Sequence, residues 1–266
     1  MVKFEPEKLK VLRTSTVPKR RRDLMRPTEA AFLADVSQIE LGAEEVESVR
    51  ELQSLPRPFW DASLRRDPAL LKKFVKQLFD RKMIGFRTAL KARAGLFFVK
   101  KKPGADGKEQ IRMIVDCRQA NYFHKLPPRT RLGSTAALSE VDLSTESLIH
   151  AGVGDLAAID VRTSTADVDD AFYQIGVPEV ASWFGIDLGM KGSEVLSWGC
   201  SSAWSDLEKR QLDIDPCVTY YPVIEVMPMG WSWALHFVTS WCGILQSLGL
   251  ACPTWRWWRS GRLRLS

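Results

Sequence analysis

The sequence has few of the residues that hold small folds together or bind zinc. Its 266 residues include three His and five Cys, at positions 117, 200, 217, 242 and 252, and no two Cys have the C-x-x-C spacing. An odd number of scattered Cys argues against a disulfide framework and favours a reducing, intracellular compartment. The first ten residues, MVKFEPEKLK, also lack the apolar run of a signal peptide. A chain of this length can bury a core without disulfides or metals.

Charged side chains are absent from residues 226–255, and acidic ones are absent from 226–266. Thirty uncharged residues are long enough to span a bilayer. Pro228, Gly230 and Pro253 interrupt this stretch, as do several polar residues. We therefore expect a buried helix here and no membrane partner.

The net charge of +6 is concentrated at the two ends of the chain. Residues 1–26 hold nine basic and three acidic side chains, and residues 256–266 hold four Arg and no acid. Basic ends of this kind favour contact with polyanions. We expect a flexible basic arm over residues 1–26, within an N-terminal extension that ends at residue 55. Its Pro18–Arg22 run, PKRRR, is typical of a nuclear-import signal, a phosphate-binding patch or a plain solvated charge run.

Helix and strand signals are mixed without βαβ alternation, which predicts an α+β fold with an antiparallel sheet and packed helices. Asp67-Pro68 begins a helix that we expect to end near Gly85. Its apolar stripe consists of Leu71, Phe74, Val75, Leu78 and Phe79. Residues 94–99 and 111–115 flank a Lys- and Gly-rich turn and predict an antiparallel ribbon. Further expectations are a helix begun by Ala171–Val177, a strand over Thr219–Val226 and a turn at Pro228–Gly230 before the uncharged helix.

Three segments carry side chains suited to nucleotide chemistry. The first is the ribbon, whose basic tip could contact phosphates. The second is residues 166–175 (ADVDDAFYQI), where a carboxylate at a strand end could hold a divalent cation beside free backbone amides. The third is residues 227–234 (MPMGWSWA), a turn that leads into a helix. Each has an ordinary alternative: a solvated hairpin, an exposed acidic turn and core packing.

Taken in order, the three segments resemble those of the reverse transcriptases of retroelements, over roughly residues 70–240. Three motifs carry the resemblance: R-x-x-x-D-x-R-x-x-N at Arg112, Asp116, Arg118 and Asn121; D-x-x-D-A-F/Y at Asp167, Asp170, Ala171 and Phe172; and P-x-G-x-x-x-A at Pro228, Gly230 and Ala234. The resemblance implies an RNA-directed DNA polymerase, a nucleotidyltransferase of retrotransposons. It also implies right-hand polymerase fingers over residues 56–160 and an incomplete palm over 161–250. The Trp/Arg-rich tail, residues 251–266, is expected to be disordered.

The resemblance also implies roles for single residues. Asp167 would be the catalytic carboxylate and would bind two Mg²⁺ ions together with the Val168 carbonyl. The incoming dNTP, paired with an RNA or DNA template-primer, would contact Lys101, Arg112, Asp170, Ala171, Phe172, Met229 and Gly230. Asp116 and Arg118 would be architectural or face the template. We expect the Asp167 carboxylate to face Lys101 and Arg112 across an open cleft of roughly 10–15 Å.

One departure from the family limits the expected activity. The second catalytic strand, Y/F-x-D-D, should follow the third motif, and no Asp or Glu occurs between Ala234 and Ser266. Leu235 also stands where the family often has Pro. We therefore expect a truncated, reverse-transcriptase-like fragment that is inactive alone. The alternative is a non-catalytic nucleic-acid-binding remnant of such a polymerase.

Overall fold

The structure is a computed structural model. It describes residues 2–9, 27–52, 54–103, 107, 109–130, 142, 144–150, 152, 165–168, 170–247 and 255–258, and only the backbone at 52, 165–168, 241–247 and 255–258. Helices and antiparallel strands are mixed along this part of the chain, which confirms the α+β class.

The described α-helices are α1 (Pro27–Ala34), α2 (Ala43–Leu52), α3 (Ala62–Arg66), α4 (Pro68–Asp80), α5 (Arg118–Tyr122), α6 (Thr145–His150), α7 (Gly192–Ser197) and α8 (Ala234–Ser247). Short 3-10 helices cover Pro6–Lys8, Val36–Gln38, Ala171–Gln174 and Pro178–Trp183. The strands are β1 (Ile84–Arg87), β2 (Gly95–Lys101), β3 (Gln110–Asp116), β4 (Thr165–Val168), β5 (Met190–Lys191), β6 (Ser202–Ser205), β7 (Arg210–Asp213), β8 (Thr219–Ile224) and β9 (Trp255–Trp258).

Helix α4 forms as its sequence predicts. The Asp67 side chain accepts a hydrogen bond from the Leu70 amide at 3.0 Å and so caps the first turn. The side chains that α4 buries are Leu71, Phe74, Val75 and Leu78. The helix ends at Asp80 rather than near Gly85, because Lys82 adopts a left-handed backbone with φ of 58° and turns the chain into β1.

The predicted ribbon is present as the pair β2–β3, whose register runs from Gly95↔Asp116 to Lys101↔Gln110. Because side chains alternate between the two faces of a strand, one face packs into the core and the other stays half-exposed. The core face consists of Leu96, Phe98, Ile111, Met113 and Val115.

The N-terminal residues pack against this ribbon. The Phe4 ring is buried, lies 4.7 Å from the Phe98 ring and meets the Phe74 ring edge-on at 4.7 Å. The Val2 amide also donates to the Phe98 carbonyl at 3.1 Å. The prediction of a flexible arm is therefore wrong for residues 2–9, because burial of Phe4 fixes the segment. Residues 10–26, with the PKRRR run, lie outside the described residues.

A three-stranded antiparallel sheet, in the order β1-β8-β5, packs beside the ribbon's core. It buries one charged side chain, Arg87, which is 1% exposed. Its guanidinium donates to the Glu225 carboxylate at 3.0 Å and to the Pro178 carbonyl at 2.9 Å. The predicted strand over residues 219–226 is confirmed as β8. The Arg87 guanidinium binds Glu225, the residue directly after this strand.

A helix begins at Ala171 as expected, but it is short and does not reach Val177. A single 3-10 helix, Ala171–Gln174, is followed by an extended segment. The Met227 amide donates to the Ile175 carbonyl at 2.9 Å, and the Val177 amide donates to the Glu225 carbonyl at 2.7 Å. These bonds replace helical bonds, so pairing with residues 225–227 ends the helix early.

The C-terminal tail contributes a strand. β9 pairs antiparallel with β4 along its whole length, with Asp167 opposite Arg256 and Val168 opposite Trp255. Residues 255–258 are thus described as a strand, and the disorder expected of the tail stays a prediction. An edge strand offers unpaired backbone groups, and Trp has a high strand propensity, which together favour the pairing.

The uncharged stretch forms the predicted helix as α8. Ala234, Phe237 and Val238 of this helix are buried in the core. Within the part of the chain that the structure describes, no helix is both long enough and apolar enough to cross a membrane.

Candidate functional site

The half-exposed face of the ribbon carries both cations predicted to contact a triphosphate. Val99 is the Cα partner of Arg112, and Gln110 is that of Lys101. Cross-strand partners share a face, as do residues two apart on one strand. Lys101 and Arg112 therefore lie on the same face of the ribbon, opposite the side that packs into the core.

The Asp116 carboxylate organises the far end of the ribbon. Its side chain is 6% exposed and accepts hydrogen bonds from the Arg118 guanidinium, at 2.9 and 2.7 Å, and one from the Phe59 amide at 2.7 Å. Burial alone raises the pKa of the Asp116 carboxyl, but the bonds from Arg118 and Phe59 outweigh burial and hold that pKa below its usual value. Asp116 therefore ties the end of β3 to the segment around Phe59 and to Arg118 at the start of α5.

Asn121 joins the first motif to the third. Its amide nitrogen donates to the Gly230 carbonyl at 3.0 Å, and its amide oxygen accepts from the Ser232 amide at 2.9 Å. Gly230 also sits directly against the backbone of Val115, so closely that a Cβ there would overlap the Val115 carbonyl oxygen. The turn at Pro228–Gly230 is thereby fixed against the end of β3.

Two tryptophans strengthen this junction. The Trp231 indole donates to His124 Nδ1 at 2.8 Å, and the Trp233 indole donates to the Lys125 carbonyl at 2.7 Å. Burial, together with the charge of Lys91, lowers the pKa of the His124 imidazole to about 3. Sequence reasoning missed these partners, although a buried indole N–H regularly requires an acceptor.

The second motif reaches the ribbon through Tyr173. Its hydroxyl is buried and donates to the Met113 carbonyl at 2.9 Å. Burial raises the pKa of the Tyr173 hydroxyl, the charge of Asp170 adds to the rise, and the charge of Arg112 opposes it. Asp170 of the second motif and Arg112 of the first therefore both act electrostatically on the Tyr173 hydroxyl, where these two motifs meet.

The remaining predicted nucleotide contacts are next in sequence to Tyr173 and Gly230. Asp170 has a left-handed backbone with φ of 53° and precedes the 3-10 helix. Ala171 and Phe172 are half-buried and pack on the core, and Met229 is half-exposed. The second motif thus reaches the ribbon through the Tyr173 hydroxyl, and the third through the backbone of Gly230.

The predicted metal ligands lie on β4. The structure gives their backbone, in which Val168 ends the strand and Asp167 is paired in register with Arg256. The expected position of the Asp167 carboxylate relative to Lys101 and Arg112 lies outside the described side chains. Among the side chains that are described, no group of three His, Cys, Asp or Glu is arranged to hold a metal ion.

A separate groove of about 330 Å³ lies between the N-terminal segment and α4. Its lining residues are Phe4, Pro6, Leu70, Lys73, Phe74, Lys76, Gln77, Asp80 and Arg81. None of them belongs to the three motifs, so this groove is distinct from the candidate site.

Comparison with known proteins adds no relative to this picture. No protein-family model matches the chain, and no curated protein matches it either. The resemblance to reverse transcriptases rests on the three sequence motifs alone.

Proposed function

We propose that the chain is a reverse-transcriptase-like module that binds a deoxynucleoside triphosphate and a nucleic-acid strand but does not by itself transfer the nucleotide. The finer form of the fold, polymerase fingers with an incomplete palm, is part of this proposal. The observation that carries it is the bridge made by Asn121, which holds the first motif against Gly230 and Ser232, more than a hundred residues away.

The junction supports nucleotide binding because it gathers groups of the right chemistry. Lys101 and Arg112 share the half-exposed face of the ribbon and would bind phosphate oxygens by charge and hydrogen bonds. Tyr173 ties the second motif to the same ribbon, and the charge of Arg112 acts on its hydroxyl. Gly230 keeps the third motif close to the ribbon because it has no side chain.

The residues present do not fit a two-metal centre. Such a centre needs several carboxylates, and the strand paired with β4 carries Arg256 opposite Asp167. No Asp or Glu follows Glu225 in the sequence. We therefore derive no transfer step for this chain, and its own residues would bind and orient the nucleotide.

The proposal is tested by equilibrium binding of a fluorescent dNTP, supplied as its Mg²⁺ complex. Arg112→Ala should weaken binding roughly tenfold or more, the value for removing one charge-assisted hydrogen bond. Asn121→Ala should weaken binding too, because the Gly230 turn is then no longer bonded to α5.

Gln119→Ala is the matched control. Gln119 lies on the same helix, α5, and its amide also bridges two backbone groups, the Arg93 amide and the Pro56 carbonyl, both at 3.0 Å. Neither group belongs to the three motifs. Equal loss of binding in Asn121→Ala and Gln119→Ala would attribute the loss to general destabilisation and refute the role of the junction.

A non-catalytic nucleic-acid-binding function is the second candidate. It is favoured by Phe59, which is 42% exposed and whose backbone amide donates to the Asp116 carboxylate that also binds the Arg118 guanidinium. Aromatic rings and cations together bind single strands by stacking and charge. Strand binding that survives Arg112→Ala, with no detectable dNTP binding by the unmodified chain, would select this alternative.

A further inference from the structure

The N-terminal segment, residues 2–9, contacts both strands of the ribbon. Val2 pairs with Phe98 of β2, and Leu9 pairs with Ile111 of β3. Because β2 and β3 pair with each other along their inner edges, these two contacts lie on the two outer edges of the ribbon. The segment therefore runs from one outer edge of the ribbon to the other.

The Phe4 side chain fastens this segment beneath the core face of the ribbon. It is 4% exposed, and its ring lies 4.7 Å from the Phe98 ring of β2 and 4.7 Å from the Phe74 ring of α4. The Lys8 ammonium also binds the Glu109 carboxylate at 2.8 Å, just before β3. Both of these charged side chains are partly exposed, and ion pairs of this kind contribute little to stability. Burial of the Phe4 ring is therefore the principal attachment of the segment.

The ribbon gains from such support because it is narrow. Among the strands that the structure describes, β2 and β3 pair only with each other. A two-stranded antiparallel pair is marginally stable by itself. Since side chains alternate across a strand, a backbone held from the core face fixes the direction of the side chains on the other face. Lys101 and Arg112, the predicted phosphate contacts, lie on that other face.

We propose that Phe4 is a positioning residue of the nucleotide site, which holds the ribbon against α4 so that Lys101 and Arg112 keep a fixed spacing for the phosphates. This role rests on the proposed function, because it concerns the same two cations. Phe4 packs on the core face of the ribbon and would not touch the nucleotide. Its removal should therefore weaken nucleotide binding through increased motion of the ribbon and not through a lost contact.

Hydrogen exchange of the nucleotide-free protein, followed by mass spectrometry, measures the ribbon directly. We expect Phe4→Ala to speed exchange of the β2 and β3 amides at least about tenfold, because the ribbon then opens more often. The milder Phe4→Val covers loss of folding in Phe4→Ala and should shift the exchange in the same direction. Unchanged exchange of the ribbon in both variants would overturn the proposal.

Phe86→Ala is the matched control. Phe86 is 1% exposed, and its ring lies 5.7 Å from that of Phe79 and 6.2 Å from that of Trp198, in a buried cluster separate from that of Phe4. This variant should speed exchange in β1 and leave the ribbon unchanged. Equal acceleration of ribbon exchange by Phe4→Ala and Phe86→Ala would attribute the effect to general destabilisation and overturn the proposal.

Binding of the fluorescent dNTP, as its Mg²⁺ complex, then tests the positioning. Phe4→Ala should raise the dissociation constant at least about fivefold, and Phe86→Ala should leave it within about twofold. Phe4→Leu, which refills the apolar site, should recover most of the affinity. Faster ribbon exchange in Phe4→Ala with unchanged dNTP affinity would overturn the proposal. Failure of the unmodified chain to bind the dNTP would instead refute the proposed function, and the exchange rates would still decide whether Phe4 holds the ribbon.

Discussion

Replacing Gly230 by Ala tests the packing that joins the first and third motifs. The added Cβ would overlap the carbonyl oxygen of Val115, which is backbone and cannot rotate away. Relief requires the Gly230 turn to move off β3, which also breaks the two hydrogen bonds with Asn121. Overpacking costs about 1–3 kcal/mol and each hydrogen bond about 1 kcal/mol, so we expect Gly230→Ala to lower the free energy of unfolding by about 3–5 kcal/mol.

Urea unfolding followed by circular dichroism measures this loss, with Gly42→Ala as the control. Gly42 is exposed, and a Cβ there meets only the flexible Glu45 carboxylate, at 3.4 Å. Its amide bond to the same carboxylate is kept. We expect Gly42→Ala to cost less than about 1 kcal/mol. Losses for the two variants that agree within error would refute the close packing of Gly230 on β3.

The charges and the missing carboxylates lead to three more predictions. The buried His124 has a pKa lowered to about 3, against 6.5 when unperturbed, so the unfolded chain takes up its proton at higher pH. The free energy of unfolding should therefore fall as the pH drops from 6.5 to 5, at up to about 1.4 kcal/mol per pH unit. His124→Gln should reduce this slope. Burial also lowers the pKa of His236, which therefore contributes in the same direction. In primer extension with Mg²⁺, an RNA template and dNTPs, we expect the chain to incorporate no more nucleotide than Asp167→Ala, and clear template-directed incorporation would contradict the account of the metal site. Nucleic-acid binding should weaken steeply as the salt concentration rises. Replacing Lys19–Arg22 by Ala should flatten the slope of log binding constant against log salt concentration by about 0.9 for each duplex phosphate that the variant no longer neutralises. An unchanged slope would assign the binding surface to other cations.

The sequence predicted local elements well where the pattern was periodic and capped. Helix α4 begins at the Asp67 cap as expected, and the ribbon β2–β3 forms across its Gly-rich turn. Helix α4 and the ribbon are both determined by residues that lie close together in sequence, so tertiary contacts did not alter them. The helix at Ala171 was predicted, but its early end at Gln174 was not, because residues 175–177 pair with residues 225–227, which lie far away in sequence.

The candidate site was predictable in its parts but not in its connections. The motif residues Arg112, Asn121 and Gly230 followed from the resemblance to a family's motifs, whereas the bond from Trp231 to His124 joins residues with no shared pattern. The ordered N-terminal segment was missed for a similar reason. Its basic composition predicted an arm, and a single apolar residue, Phe4, fixes it between rings that lie far along the chain.

Photocrosslinking of 8-azido-dATP, followed by peptide mapping, tests the central claim most directly. A nucleotide held at the junction of the three motifs should label peptides that contain the ribbon around Arg112 and the turn around Met229. Arg112→Ala should remove both labels. Labelling confined to α4, which lines the separate groove, or labelling unchanged by Arg112→Ala, would contradict the assignment of the nucleotide site.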